Sequence, residues 1–480
     1  MTEPGKTEPR SATRTFISGW RTAPAARALA VAMALATAAG PAAVAPAQAQ
    51  SKPRGLPIIR DTEIEQLMRD YAQPILKAAG LAKQNVKVVV LNDRAFNAFV
   101  MDGRHIFINT GALFDAKTPN EVIGVFAHET GHLAGGHLLK LREQLATAQT
   151  ASIVALLLGV GAAVAGARAG SGGGNIGAAA IMAPQQAIQR TLLAYVRTQE
   201  DSADHAGARF LNATGQSGRG MLELFKRLSS ESLFNSRFID PYMQSHPMPA
   251  ERVAALETLV RASPHFNAKD SDALQARHDM MRAKLSGFLE RPDTVARRYP
   301  LGDHSLPARY ARAISAYRHS DLRQAVAQID ALIAAQPANP YFYELKGQAL
   351  LEGGRATDAV APLRQAAQLS RNAPLIQIML AQALIGTNNK QTAEEAVALL
   401  RSALLREPEV PEAYSQLAMA YGRKGDLAQA DLAAAQAAFN RGDMMTARQL
   451  ASRAKSRLPI GSPAWVQADD IVNLKPNAKN

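Results

Sequence analysis

Residues 121–137 read EVIGVFAHETGHLAGGH, and the rest of the chain is organised around this stretch. It contains an H-E-x-x-H motif formed by His128, Glu129 and His132. Positions i and i+4 share one face of a helix, so both histidines can bind one ion, and neutral imidazoles suit Zn²⁺. Glu129 is placed to take a proton from the attacking water rather than to bind the metal. The motif therefore predicts a buried helix that carries two ligands of one zinc ion per chain and its general base, unless this is an ordinary helix with fortuitously spaced histidines.

Catalytic zinc usually has three protein ligands, and the residues after the motif do not supply the third. Leu138 stands where the metzincin pattern requires a histidine, and His137 comes one residue too early, so we expect it to point away from the metal. Glu200 is the strongest candidate, because it precedes Asp204 by four residues on a predicted helix. In this interpretation Glu200 binds the metal and Asp204 accepts the free N–H of a ligand histidine. The alternative is a solvated acidic helix face.

H-E-x-x-H followed by E-x-x-x-D is typical of gluzincins. The chain resembles the zinc metallopeptidase family that includes the CAAX prenyl endopeptidase and the heat-shock membrane protease HtpX, and in particular its periplasmic members with tetratricopeptide repeats. The resemblance covers nearly the whole chain after residue 49, and every motif position matches: His128, Glu129, His132, Glu200 and Asp204. It implies a mainly α fold with a small β-sheet, in which a gluzincin-type peptidase domain precedes a tetratricopeptide-repeat α-solenoid.

The sequence SHPMPAER at 245–252 predicts a loop that enters a helix. The resemblance implies that His246 approaches the metal and that Arg252 lies near the catalytic groups. His246 would be either a fourth metal ligand that latches the enzyme shut or a hydrogen-bond donor to the transition-state oxyanion. The alternative for His246 is a capping histidine in a turn. Arg252 would steady Asp204 or Glu200, or be a solvated helix residue.

Residues 98–101 and 105–109 predict a β-hairpin, because they alternate around an Asp-Gly turn. The resemblance implies that its first strand borders the cleft and binds extended peptides by strand addition. The substrate-binding residues would be Asn97, Ala98 and Phe99. The alternative is a plain structural edge strand.

The composition favours a protein of two or three mostly helical domains, since 47% of its 480 residues are hydrophobic and only 5% are aromatic. The absence of cysteine excludes disulfides, a thiol nucleophile and a lipidated cysteine anchor. The formal charge of +13 allows peripheral contact with an anionic membrane. Because the basic residues are scattered and not interleaved with aromatics, we expect no nucleic-acid partner. A first amphipathic helix is predicted over 57–80.

Two apolar segments bear on localisation. Residues 1–49 carry arginines, then an apolar run, then Ala47-Gln48-Ala49, which predicts a cleaved signal peptide and a periplasmic protein. An uncleaved anchor is the alternative. Residues 144–167 are uncharged and rich in glycine and alanine, and we interpret 144–189 as an apolar hairpin that covers the cleft or touches a membrane. The alternative is a true membrane span, as in the HtpX branch.

Small residues recur in the C-terminal part at Ala325, Ala359, Ala396 and Ala430, close to the 34-residue tetratricopeptide period. Such arrays expose a concave face suited to extended partners. The predicted limits are a signal peptide at 1–49, a metallopeptidase domain at 50–263, a helical linker at 264–303, the repeats at 304–460 and a tail at 461–480.

These patterns predict a zinc metalloendopeptidase. The resemblance adds that its substrates are unfolded or stalled proteins and that its repeats dock on the outer-membrane assembly machinery, with a chaperone-like role. Two alternatives remain open: a repeat-based chaperone or scaffold whose metal site is latched, and an integral-membrane protease of the HtpX type.

Overall fold

The computed structural model describes residues 56–150, 173–234 and 241–474. Most of these residues are helical, and the strands among them form one four-stranded sheet, which confirms the predicted fold class. The predicted signal peptide and residues 151–172 of the predicted apolar hairpin lie outside the described residues. Within the described residues, no helix has the length and apolar character needed to cross a bilayer.

Contacts divide the chain into two units. The first contains the described residues up to 278 apart from 61–64, and the second contains residues 61–64 together with those from 279 onward. The boundary falls inside the stretch 264–303 that we expected to be a linker.

The sheet belongs to the first unit and has the strand order β1-β2-β4-β3. Strands β2 and β4 are parallel, whereas β3 and β4 form the predicted antiparallel hairpin. The Asp102 carboxylate closes the turn by accepting hydrogen bonds from the backbone of Arg104 and His105. The strands are β1 (Ile58–Ile59), β2 (Lys87–Leu91), β3 (Ala98–Val100) and β4 (His105–Asn109).

The first helix is shorter than predicted. It begins at Thr62 rather than near residue 57, because the side chain of Asp61 caps the backbone N–H of Ile64 and residues 58–59 pair with β2 instead. The helices up to residue 289 follow in chain order, and residues 137–150 are also helical. The labelled helices are α1 (Thr62–Ala78), α2 (Thr110–Asp115), α3 (Pro119–Gly135), α4 (Gly173–Ala213), α5 (Arg219–Phe234), α6 (Pro241–Ser245), α7 (Ala250–Arg261) and α8 (Asp272–Leu289).

The second unit is an array in which each helix packs on the next. Three of the small repeat positions, Ala325, Ala359 and Ala396, are fully buried, whereas Ala430 is half-buried. The third predicted repeat differs from its neighbours by a longer second helix, of 17 rather than 14 residues. The helices are α9 (Pro292–Arg298), α10 (Leu306–His319), α11 (Leu322–Ala335), α12 (Pro340–Glu352), α13 (Ala356–Leu369), α14 (Pro374–Gly386), α15 (Lys390–Arg406), α16 (Pro411–Lys424), α17 (Leu427–Asn440), α18 (Met444–Lys455) and α19 (Pro463–Asn473). The last of these lies in the segment that we predicted as a tail.

Candidate metal centre

Helix α3 carries the H-E-x-x-H motif, as predicted. The Thr118 side chain caps the helix by accepting a hydrogen bond from the Glu121 backbone, and Pro119 occupies the first turn. Gly136 ends the helix in the left-handed region, with φ of 62°. The helix is buried along most of its length, so the motif lies on a rigid element inside the core.

Two close helix contacts bring the predicted donors of α3 and α4 together. A Cβ added to Gly131, inside the motif, would lie 2.7 Å from the backbone oxygen of Ala203. A Cβ added to Gly207 would lie 3.1 Å from the backbone carbon of Ala127. The two glycines permit this close approach of the backbones, and the approach places the carboxylates of α4 over the histidines of α3.

Four donor side chains converge on one point. Nε2 of His132 lies 3.1 Å from Nε2 of His128, and the two carboxylate oxygens of Glu200 each lie 3.4 Å from one of these nitrogens. His246 also belongs to the cluster, since its Nδ1 lies 3.3 Å from Nε2 of His128 and 3.0 Å from Oε2 of Glu200. All four ligand atoms lie within 4.8 Å of one another. The structure thus brings the three predicted ligands together and adds His246 to them.

This donor set fits a tetrahedral divalent cation. Bonds of about 2.0–2.1 Å to zinc place neighbouring ligands of a tetrahedron about 3.3–3.4 Å apart, and the separations above are close to that value. Two imidazole nitrogens and a carboxylate face one another inside the protein, so their lone pairs need a shared proton or cation between them. The four side chains that would hold the ion are His128, His132, Glu200 and His246.

Asp204 and Arg252 form hydrogen bonds and ion pairs with the donor side chains His128 and Glu200. Oδ1 of Asp204 lies 2.9 Å from Nδ1 of His128, which places the ring proton on Nδ1 and leaves Nε2 free for a metal. Arg252 donates two hydrogen bonds to Asp204, of 2.6 and 2.9 Å, and its Nη1 lies 3.0 Å from Oε2 of Glu200. Arg252 is buried and also donates to the backbone oxygen of Pro247. Its geometry matches the steadying role rather than that of a solvated helix residue.

The protonation of the metal-free site follows from these contacts. Burial alone would lower the pKa of His128, but its contacts with Asp204 and Glu200 raise it to about 9. Burial lowers the pKa of His132 to about 3. Burial would raise the pKa of Glu200, yet the surrounding histidines hold it well below its usual range. Burial raises the pKa of the neighbouring Glu129 carboxyl. His128 in the metal-free site therefore carries a second proton, on Nε2, besides the one on Nδ1. A divalent cation bound at Nε2 would displace this second proton.

His137 is the residue whose position the sequence reasoning missed. It is not one of the four converging donors, but its ring contacts His132 on the side that faces away from the other donors. Its Nδ1 lies 2.9 Å from Nδ1 of His132. The sequence feature that could have predicted this position is the pair Gly135-Gly136, which allows the chain to turn back at the end of the helix.

The predicted substrate strand is an edge strand beside the motif helix. In the order β1-β2-β4-β3, β3 pairs with β4 alone among the described strands, and it lies against α3. Ala98 is buried and the Phe99 ring stacks on Phe107. Oδ1 of Asn97 is buried and has no hydrogen-bond partner among the described residues. These contacts are compatible with both a peptide-binding strand and a plain edge strand.

Fold and site together define a metallopeptidase with a helical-repeat array. Comparison with known proteins gives the same class: residues 59–260 match the model of peptidase family M48, and residues 310–374 match a tetratricopeptide-repeat model. Metalloprotease LoiP of Escherichia coli K12 is 31% identical over 190 residues, which are 38% of this chain and 68% of LoiP. The chain belongs to peptidase family M48, and the prediction that it is a metalloprotease is confirmed.

Two further relatives align along both parts of the chain. The beta-barrel assembly-enhancing protease of Yersinia pestis is 23% identical over 409 residues, which cover 85% of this chain and 82% of the relative. The protein of the same name from Escherichia coli K12 is 22% identical over the same extent. The resemblance inferred from the motifs is thereby confirmed.

Proposed function

We propose that this protein is a zinc-dependent endopeptidase of the periplasm that cleaves misfolded or stalled proteins during the assembly of outer-membrane β-barrels. The convergence of His128, His132 and Glu200 beside the buried Glu129 carries the proposal. The names of the relatives that align along both parts of the chain support the biological setting. The N-terminal sequence pattern supports export.

Glu129 is placed to serve as the general base. A bound zinc ion would polarise the scissile carbonyl and acidify the attacking water. Glu129 is buried beside the donor cluster, and its Oε1 has no hydrogen-bond partner among the described residues. Because burial raises the pKa of this carboxyl, it is suited both to take the proton of the water and to pass it to the leaving amine.

His246 holds the site in a latched form. Its Nδ1 occupies the fourth corner of the donor set, the position that a catalytic site must leave open for water or substrate. Its other nitrogen lies 3.6 Å from Oε1 of Glu129. The distances favour the latch over the oxyanion donor, and the same observation supports a second candidate function, a chaperone or scaffold whose peptidase stays shut.

Casein degradation by the wild type and three variants tests the general base and the latch. We expect His246→Ala to cleave faster than the wild type, and Glu129→Gln to abolish cleavage in the wild-type and His246→Ala backgrounds. A slower His246→Ala enzyme contradicts the latch. Equal rates for His246→Ala and the double variant exclude the peptidase mechanism and leave the scaffold.

We further propose that β3 binds the substrate by strand addition. Because the Asn97 carbonyl accepts from the Asn109 backbone, the backbone groups of the alternate residues Ala98 and Val100 face the free edge. Val100→Pro removes an outward N–H and should raise KM for peptides, whereas the matched Val100→Thr retains that N–H. Metal content should be the same in both variants. Equal KM values for Val100→Pro and Val100→Thr would show that β3 is a plain structural edge strand.

The repeats are proposed to dock on the outer-membrane assembly machinery, with peripheral contact of the first unit with a membrane. Carbonate extraction separates this from an integral-membrane protease. Release of the protein into the supernatant supports the proposal, and retention in the pellet favours the HtpX-like alternative.

A further inference from the structure

His137 lies behind the metal cluster and contacts one of its ligands. Helix α3 ends at Gly135, and the left-handed turn at Gly136 carries the next residue back toward the helix. Nδ1 of His137 lies 2.9 Å from Nδ1 of His132, and the two rings meet edge to face with centroids 5.0 Å apart. His137 is only 6% exposed. The contact engages the ring nitrogen of His132 that faces away from the other donors.

One arrangement of protons across this contact allows His132 to bind a metal. Nε2 of His132 faces His128 and Glu200, so its lone pair must be free. A neutral imidazole carries one proton, and Nδ1 of His132 must therefore hold it and donate it. His137 must then accept at Nδ1 and carry its own proton at Nε2.

We propose that His137 is a positioning residue that fixes the tautomer and ring orientation of His132, as Asp204 does for His128. The inference rests on the metal site proposed above. A ligand histidine usually donates its other N–H to a carboxylate, a carbonyl or a water, and removal of such a partner typically weakens metal binding by about 10–100-fold. Here a second imidazole takes that place.

Gly135 makes the contact possible. A Cβ at this position would lie 2.1 Å from Nε2, 2.5 Å from Cδ2 and 2.9 Å from Cε1 of His137. Three atoms of one ring are too close for a small adjustment, so Gly135→Ala must displace the ring and disturb its contact with His132. This provides a second perturbation of the contact that leaves the His137 side chain itself unchanged.

The test measures the Zn²⁺ affinity of the metal-free protein by competition with a chromophoric chelator. His137→Leu cannot accept a hydrogen bond and should bind Zn²⁺ about 10–100-fold more weakly. His137→Asn retains an acceptor near the position of Nδ1 and should stay within about threefold of the wild type. His205→Leu, which changes an exposed histidine of the same unit, is the control and should bind as the wild type does.

Melting of the metal-free variants separates positioning from packing. The melting temperature of metal-free His137→Asn should match that of the wild type, whereas a purely structural role would lower it in both His137 variants. Equal losses of affinity in His137→Leu and His137→Asn would show that ring packing matters rather than the acceptor, and would overturn the proposal. So would unchanged affinity in both.

A double-mutant cycle completes the experiment. Gly135→Ala should weaken Zn²⁺ binding in the wild-type background and have no further effect once His137 is replaced by leucine. Equal effects in both backgrounds, or none in either, contradict the inference.

If His137→Leu does not fold, His137→Asn and Gly135→Ala decide together, since the first should retain the affinity and the second should lose it. Failure of the wild type to bind Zn²⁺ refutes the proposed function, whereas wild-type binding with insensitive variants refutes only the role of His137.

Discussion

Replacement of Glu344 by glutamine should remove a pH-dependent loss of stability in the second unit. Glu344 is buried on α12, where three carboxylates share one ammonium group. Nζ of Lys284 lies 2.7 Å from Asp61, 3.2 Å from Glu63 and 3.9 Å from Oε2 of Glu344. That oxygen has no hydrogen-bond partner among the described residues. Glu344 is therefore the carboxylate of the three that lies farthest from the lysine, and its ionisation should cost the folded state the most free energy.

The magnitude follows from the protonation of that carboxyl. Burial, only partly offset by Lys284, raises the pKa of Glu344 from 4.5 to about 8. Between these two values the folded protein holds a proton that the unfolded chain has released, so the free energy of unfolding falls as the pH rises through this window. At about 1.4 kcal/mol per pH unit, the whole shift sets an upper limit of about 5 kcal/mol. Because Asp61 and Glu63 compete for the same lysine, we expect about 2–4 kcal/mol to depend on Glu344.

Urea denaturation monitored by tryptophan fluorescence can measure this difference. Trp465 lies in the second unit and is the only tryptophan after residue 49. The stability of Glu344→Gln relative to the wild type should rise by about 2–4 kcal/mol between pH 5 and pH 9. Glu409→Gln, which changes an exposed carboxylate, should show the same difference from the wild type at both pH values. A constant difference for Glu344→Gln, or one that falls with pH, would refute the reasoning.

Three further predictions concern the first unit. Arg252→Met should destabilise the metal-free protein by about 3–5 kcal/mol, because it removes the guanidinium that pairs with the buried carboxylate of Asp204. The exposed Arg261→Met control should cost less than about 1 kcal/mol, and urea titration measures both. Gly124→Ala should lower the melting temperature despite the better helix former, since its Cβ would lie 2.6 Å from Cβ of Met221, and a rise would contradict the close packing of α3 on α5. Chelation should lower the melting temperature of the wild type and added Zn²⁺ should restore it, whereas a melting temperature indifferent to both would count against a metal bound to the folded state.

The sequence predicts which side chains of α3 and of α4 lie together in the site, because helix periodicity alone determines which residues share a face. Residues four apart on a helix must share a face, so His128 and His132 had to converge, and the same spacing placed Asp204 beside Glu200. The structure then decides between the two interpretations of Glu200, a metal ligand or part of a solvated acidic helix face. A solvated carboxylate would not lie buried and 3.4 Å from two imidazole nitrogens. The hairpin was also predictable from its Asp-Gly turn.

The rest of the site depends on backbone geometry that a spacing rule does not include. His137 reaches His132 only because Gly136 adopts a left-handed conformation and Gly135 leaves room for the ring. The fourth corner is filled by Nδ1 of His246 from a loop whose path the sequence does not specify. The first helix begins late because one aspartate side chain caps it. Each of these depends on a single local contact rather than on a repeating pattern.

The metal itself tests the central claim most directly. Metal content and casein cleavage should be measured together after zinc loading, with His246→Ala as the parent so that a latch does not hide activity. We predict one zinc ion per chain and cleavage for the parent, loss of both with added Glu200→Gln, and retained zinc without cleavage with added Glu129→Gln. A Glu200→Gln protein that still holds a full equivalent of zinc and cleaves at the parental rate would contradict the account.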